Sequence, residues 1–163
     1  IAEPEVLEPV IERYPHARPS LLDGAELALL PICDQLFAAI DLEGFPVDPD
    51  SGFERLSSGV AALVTAASRR GPVAYVEAAY VGDLGHQTAA VWLDCHLVYG
   101  PCLLARGEQF PVTAPGALTG GSPIVAALRY LGVLPVGTKD EFVVLGLGRH
   151  RTTEQWCVAG VRV

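Results

Sequence analysis

Apolar residues recur along the chain with two different periods, and the switches between them outline its elements. Val6, Leu7, Val10, Ile11 and Tyr14 fall at i, i+1, i+4, i+5 and i+8, which is one face of a helix. Pro9 is then expected in the first turn, where a missing N–H is harmless. The prolines from Pro15 to Pro19 end that segment. Ile32, Cys33, Leu36, Phe37 and Ile40 repeat the pattern after Pro31, whose fixed φ suits a first helical position. Gly44, Pro46 and Pro49 predict a loop, and Phe53 to Leu56 a short strand. Ser57 or Ser58 caps a third helix reaching Arg69, with Val60, Leu63, Val64 and Ala67 as its buried stripe. Arg69 and Arg70 suit the negative end of its dipole, and Gly71 the C′ position.

The period then shortens to two. Val73 to Val81, Gln87 to Leu93 and Leu97 to Leu104 predict an antiparallel meander. Gly82-Asp83-Leu84-Gly85 forms the first hairpin connection, and the second turn falls at Asp94 and Cys95. Arg106 to Gly121 has little apolar periodicity and many Gly and Pro residues, so it predicts a long loop, a kind that is usually functional. Ser122-Pro123 opens a helix with Ile124, Val125, Leu128 and Leu131 on its apolar face, closed by Gly132. A last pair of strands is expected at Glu141 to Leu147 and Trp156 to Val163. The fold class is therefore α+β: N-terminal helices, a central antiparallel β-meander and one further helix packed on the sheet. A single domain, 1–163, has an acidic, mainly helical part at 1–50 and a helix plus antiparallel sheet at 51–163.

Half of the residues are hydrophobic and 18% are charged, which supports a packed core and argues against disorder. No apolar run is long enough for a membrane span, and the start lacks the basic and apolar regions of a secretory signal. A cytoplasmic protein without a membrane partner is expected. Cys33, Cys95, Cys102 and Cys157 show no metal-binding spacing and are expected as buried free thiols. Net charge is −8, and its placement is uneven. Residues 1–50 hold eleven acidic and two basic residues, so all the net negative charge lies there. Such a field repels nucleic acid and steers a basic protein partner; it also serves simply as a solvated surface.

Candidate chemistry is sparse. The Gly82–Gly85 turn lies between two strands and lacks a lysine, so a hairpin fits it better than a phosphate cradle. Arg149, His150 and Arg151 form the one dense basic site, suited either to an anion or to acidic residues of the chain's own N-terminal third. Cys95 and His96 are strand neighbours that point to opposite faces, a poor dyad. Glu77 is expected to face solvent, and facing inward it would be an acid/base candidate without a second carboxylate. No catalytic residue, cofactor or metal is assigned, and a non-enzymatic protein-binding domain is expected. The alternatives are a small nucleotide- or phosphate-binding enzyme using Arg149, His150 and Arg151, and a purely structural or oligomerising domain.

Gly71 to Glu77, Gly82 to Trp92, Ala127 to Val133, Asp140-Glu141-Phe142 and Leu145 to Gly148 together resemble small actinobacterial immunity proteins encoded beside polymorphic toxins. Within that group the likeness is to immunity factors of the tuberculosis necrotizing toxin type, over about residues 70–150. The resemblance implies an antitoxin whose partner is a cognate NAD+ glycohydrolase toxin domain. A loop of the immunity protein would fill the toxin's active-site cleft and exclude NAD+. The residues that best fit such a contact are Gly116, Gly120 and Gly121 in the long loop, where glycine lets a backbone approach closely. Asp83, Gly85 and His86 in the first hairpin turn come next, then a turn at Tyr99 and Gly100 with Tyr99 as an aromatic anchor.

Overall fold

The computed structural model describes residues 1–41, 51–81, 84–104 and 121–160, so the loop expected at 44–49 and all but Gly121 of the one at 106–121 lie outside the described residues. Helix α1 (Pro4–Arg13) buries Val6, Leu7 and Val10. Glu5, Glu8 and Glu12, at i, i+3 and i+7, are exposed on its other side. Pro4, not Pro9, occupies the helix start, and Pro9 stands in the interior. A proline there leaves the carbonyl four residues earlier without its helical donor. That carbonyl belongs to Glu5, and Arg70 Nη1 donates to it at 3.0 Å.

Two short strands, β1 (Ser20–Leu21) and β2 (Ala28–Leu29), pair antiparallel. Helix α2 (Asp34–Ile40) begins after Cys33, so Pro31 precedes the helix instead of opening it. Helix α3 (Ser58–Ala67) is capped as expected, with Ser57 Oγ accepting from the Val60 N–H at 3.3 Å. It stops at Ala67, so Gly71 is not its C′ residue. Gly71 serves close packing instead: a Cβ there would sit 3.0 Å from Val6 Cγ2. The segment from Phe53 to Leu56 is not a strand.

The meander is present as β3 (Val73–Val81), β4 (Leu84–Leu93) and β5 (His96–Leu104), in spatial order β3-β4-β5. Val81 pairs with Leu84, so the first connection is only residues 82–83, shorter than expected. At the opposite end Asp94 (φ 50°) and Cys95 (φ 64°) are both left-handed, as a two-residue turn matched to strand twist requires. Ser68 fastens that turn to the end of α3: its carbonyl accepts from the Asp94 N–H at 2.9 Å, and its Oγ from the Cys95 N–H at 3.0 Å.

Both faces of the sheet are apolar. Val73, Tyr75, Ala90 and Trp92 pack against Val6, Val10, Leu36, Val60 and Val64 of α1–α3. Ala74, Ala89, Val91 and Tyr99 pack against a second cluster that includes Ile124, Leu128, Leu145 and Trp156. Helix α4 (Pro123–Tyr130), capped by Ser122, supplies the centre of that layer. The strands expected at 141–147 and 156–163 are absent among the described residues; helix α5 (Glu141–Val144), a 3-10 turn (Leu147–Arg149) and helix α6 (Thr153–Ala159) stand there. Asp140 accepts from the Val143 N–H at 2.9 Å and Thr152 from the Gln155 N–H at 3.2 Å, so α5 and α6 both start with a side-chain cap. The architecture is α+β with the sheet between two helical layers. Among the described residues, no helix is long and apolar enough to cross a membrane.

Leu128 is fully buried at the middle of the second layer. Leu128→Ala is expected to lower the unfolding free energy by about 3 kcal/mol, the cost of lost transfer plus a partly relaxed cavity. Urea denaturation checks this, and a loss below about 1 kcal/mol would contradict such a tightly filled layer.

Candidate functional site

The densest polar cluster lies on the face of the sheet covered by α1–α3. Glu77 shares that face with Tyr75 at i−2 and sits opposite Thr88, so it points inward and not to solvent as expected. Its Oε2 accepts from the Glu54 N–H at 2.6 Å. Its Oε1 accepts from the Arg55 N–H at 2.9 Å and from the Tyr75 hydroxyl at 2.8 Å. Thr88 Oγ1 donates to the Gly52 carbonyl at 2.8 Å, and Phe53 meets Tyr75 edge-on at 5.3 Å. The expected strand at 53–56 is therefore replaced by a segment clasped to the sheet through side chains. Burial, followed by the Glu77 charge, raises the Tyr75 hydroxyl far above its ordinary range, so it stays a donor.

Arg55 closes the cluster. It pairs with Asp34, donates to the Ile32 carbonyl at 3.3 Å and lies over the Phe37 ring at 5.1 Å. The Asp34 hydrogen bond is the main cause of its raised pKa. His86 Nε2 stands 3.5 Å from Glu54 Oε1 at the cluster's outer rim. A cavity of about 270 Å³ runs beside β3, lined from both layers by residues such as Leu30, Ile32, Leu63, Val76 and Trp156. Its polar lining includes Arg55, Tyr75 and Glu77, all engaged in the bonds above. The arrangement holds backbone in place and offers a ligand mainly apolar wall. Among the described residues, no group of three or more His, Cys, Asp and Glu is placed to hold a metal ion.

The residues expected to meet a partner are only partly brought together. Asp83, Gly116 and Gly120 lie outside the described residues. Gly85 lies within β4, paired with Tyr80, and His86 follows it. Val81, Leu84 and Leu104 mark one end of the sheet, because Val81 pairs with Leu84 and Leu104 with Gln87. His86 stands at that end too, facing Glu54. Tyr99 and Gly100 do not share that placement, and they form no turn; they lie inside β5. Tyr99 is buried against Tyr130 with ring centroids 5.1 Å apart, so it is a core residue and not an exposed anchor. Gly100 has φ +81°, and a side chain there would strike the Ala89 carbonyl, so it allows close strand packing. Gly121 has φ +107°, and a Cβ would lie 2.9 Å from Val125 Cγ1. It shapes the approach to α4, and bulk there strains the fold.

The basic site at Arg149 is claimed from within. Arg149 Nη1 donates to Asp23 Oδ1 at 3.1 Å and Nη2 to the Leu21 carbonyl at 2.9 Å, with the guanidinium 5.0 Å above the Trp156 ring. His150 meets the same ring edge-on at 4.7 Å. A further ion pair has no local sequence signal: Arg129 Nε donates to Oε1 of the fully buried Glu141 at 2.6 Å. Glu141 Oε2 has no hydrogen-bond partner among the described residues. Exposed apolar surface is also present on β5, an edge strand, at Leu97, Val98 and Leu103.

Glu77→Ala is expected to cost about 2 kcal/mol, because two backbone N–H groups and the Tyr75 hydroxyl lose their acceptor. Limited proteolysis should then cut near residues 51–56 first, whereas an unchanged cleavage pattern would contradict the clasp. Arg129→Ala leaves Glu141 buried without its cation and is expected to cost about 3 kcal/mol in urea denaturation. A loss under about 1 kcal/mol would mean that the pair contributes little. In comparisons with known proteins, no family model, no curated sequence and no solved structure matches the chain.

Proposed function

We propose that the chain works by binding another protein, as a cytoplasmic immunity protein that covers the active site of a cognate NAD+ glycohydrolase toxin and excludes NAD+. The observation that carries this reading is that Val81, Leu84 and Leu104 share one end of the meander, next to the half-buried His86. Binding segments set on a rigid scaffold are a frequent way to fill a cleft. The polar groups nearby support contact over turnover, since Glu77 and Arg55 are already engaged by their own chain. Glu5, Glu8 and Glu12 present an exposed acidic stripe on α1, suited to a basic partner. Exposed Leu97, Val98 and Leu103 add apolar surface on an outer strand.

The competing reading, a nucleotide- or phosphate-binding enzyme built on Arg149, His150 and Arg151, loses its best-placed cation to Asp23 and the Leu21 carbonyl. Affinity capture from the native host, read by mass spectrometry, is expected to recover an NAD+ glycohydrolase at low salt. Recovery of the chain alone would count against the proposal. With that partner, Glu5→Lys, Glu8→Lys and Glu12→Lys combined should slow association by roughly tenfold at low ionic strength. The same rate in stopped-flow mixing would show that the acidic stripe is only a solvated surface.

A further inference from the structure

The order β3-β4-β5 leaves the outer edge of β3 without a neighbouring strand among the described residues. Ile1 meets that edge at one point. Its backbone nitrogen donates to the Ala74 carbonyl at 2.7 Å, and the Ala74 N–H donates to the Ile1 carbonyl at 2.9 Å. Two residues that exchange both bonds form the hydrogen-bonded pair of an antiparallel ladder, so the Ala74 backbone groups face away from β4. The β3–β4 register runs without a shift from Val73 to Val81, and the facing groups alternate along it. Val76 and Ala78 therefore also turn their N–H and C=O groups outward, and among the described residues no backbone group meets them there. This edge is recessed: the cavity of about 270 Å³ follows it past Tyr75, Val76, Glu77 and Ala78. Leu30, Ile32 and Leu63 wall it from the α1–α3 layer, and Leu29 and Trp156 from the other. Exposure rises from the buried Ala74 to the exposed Ala78, so the groove opens at Ala78. Glu54 and Glu77 line that end with Arg55, whose charge is shared with Asp34, so the opening is net negative. Among the residues that line the groove none is a cysteine; the four cysteines are free thiols, half-buried instead of fully buried as expected.

We propose that this groove takes an extended apolar segment of a partner protein as an added strand antiparallel to β3, with a basic residue at the segment's N-terminal end beside Glu54. The direction follows from Ile1, whose antiparallel pairing with Ala74 the added strand continues along the same edge. Its residues opposite Val76 and Ala78 exchange backbone hydrogen bonds with them and turn their side chains toward Leu29 and Trp156, on the face that Val76 shares. The residue between them, opposite Glu77, turns toward Leu30 and Ile32. Both sides are apolar, so the segment that fits is a continuous apolar run instead of an alternating one. A hydrocarbon ligand fits less well, because it leaves the recessed N–H and C=O groups of Val76 and Ala78 without partners. A second copy of the sheet fits less well too, because walls from both helical layers admit one strand and not another sheet edge. Strand addition of this kind draws affinity from main-chain bonds and selectivity from the side-chain pockets. The site does not rest on the toxin reading, and its test needs no toxin.

The test is fluorescence anisotropy of the intact chain with the peptide fluorescein-Lys-Val-Ile-Val-amide, whose two valines are placed to face Ala78 and Val76. The expected result is saturable one-to-one binding, with amide hydrogen exchange at Val76 and Ala78 slowed by about tenfold or more. N-methylation of either valine removes a donor aimed at β3 and should weaken binding by about tenfold or more, whereas N-methylation of the isoleucine, whose N–H points away, should not. Ala78→Pro should abolish binding and leave the melting temperature unchanged, since proline is tolerated on an edge strand where its missing N–H faces outward. If that variant fails to fold, the methylated peptides still decide. Glu54→Gln should weaken the lysine peptide and leave one with norleucine in its place unaffected. Absence of saturable binding, equal loss on methylating the isoleucine, or full binding by folded Ala78→Pro would overturn the proposal. So would displacement of the peptide by dodecanoate with Val76 and Ala78 still exchanging freely, which marks an apolar cavity only, or a dimer in sedimentation that the peptide leaves intact and Ala78→Pro dissociates.

Discussion

A three-stranded sheet with apolar side chains on both faces cannot leave either face in water, and this constraint organises the chain. Tyr75 and Trp92 demand cover on one side, Val91 and Tyr99 on the other. The helices before the meander cover the first face and those after it the second. Each residue alternation along β3 and β4 thus assigns a side chain to one layer or the other. Large residues such as Trp92 and Tyr75 contribute roughly 2 kcal/mol or more each through burial alone. The same constraint explains Glu77, whose place in the alternation puts a carboxylate on the covered face. It is tolerated there because the segment at 53–55 brings backbone N–H groups to meet it.

Among the described residues, acidic side chains serve in two main ways. Glu77, Asp34, Asp23 and Glu141 are claimed by internal donors: backbone N–H groups, Arg55, Arg149 and Arg129. Each links parts of the chain distant in sequence, and Asp23 with Arg149 fastens the short β1–β2 ribbon to the C-terminal turn. Gly146 makes that contact possible, since a side chain there would strike the Asp23 carboxylate. Glu5 and Glu12 serve in the other way, exposed on α1 and left to the solvent side. The negative field outlined by composition is consequently a property of specific surface, with part of the acid spent on cohesion. That division is compatible with the proposed steering of a basic partner.

Elements marked by local rules were legible in the sequence. The stripe of α1, the Ser57 and Ser122 caps and the Val- and Tyr-rich alternation of β3 each rest on neighbours a few residues apart. The C-terminal segment misled because Phe142, Val143 and Val144 favour strands, while the decisive cues were capping side chains. Thr152 followed by Gln155 is such a signal, overlooked beside the apolar run. Phe53 to Leu56 misled for the opposite reason: it is apolar enough for a strand, yet Glu77, a residue beyond any local window, sets its course. At the candidate site, His86 stands half-buried at the rim, whereas Gly100 and Gly121 are packing glycines. A glycine's sequence does not distinguish freedom to approach a partner from lack of room within its own fold.

The central claim is that this chain disables an enzyme by occupying its cleft. It is tested most directly by titrating NAD+ hydrolysis by an NAD+ glycohydrolase captured with the chain from its native host against rising amounts of the intact chain. The account predicts a linear fall to zero at one equivalent, with no NAD+ consumed by the chain alone. Undiminished hydrolysis in the presence of excess chain, or conversion of NAD+ by the chain itself, would contradict it.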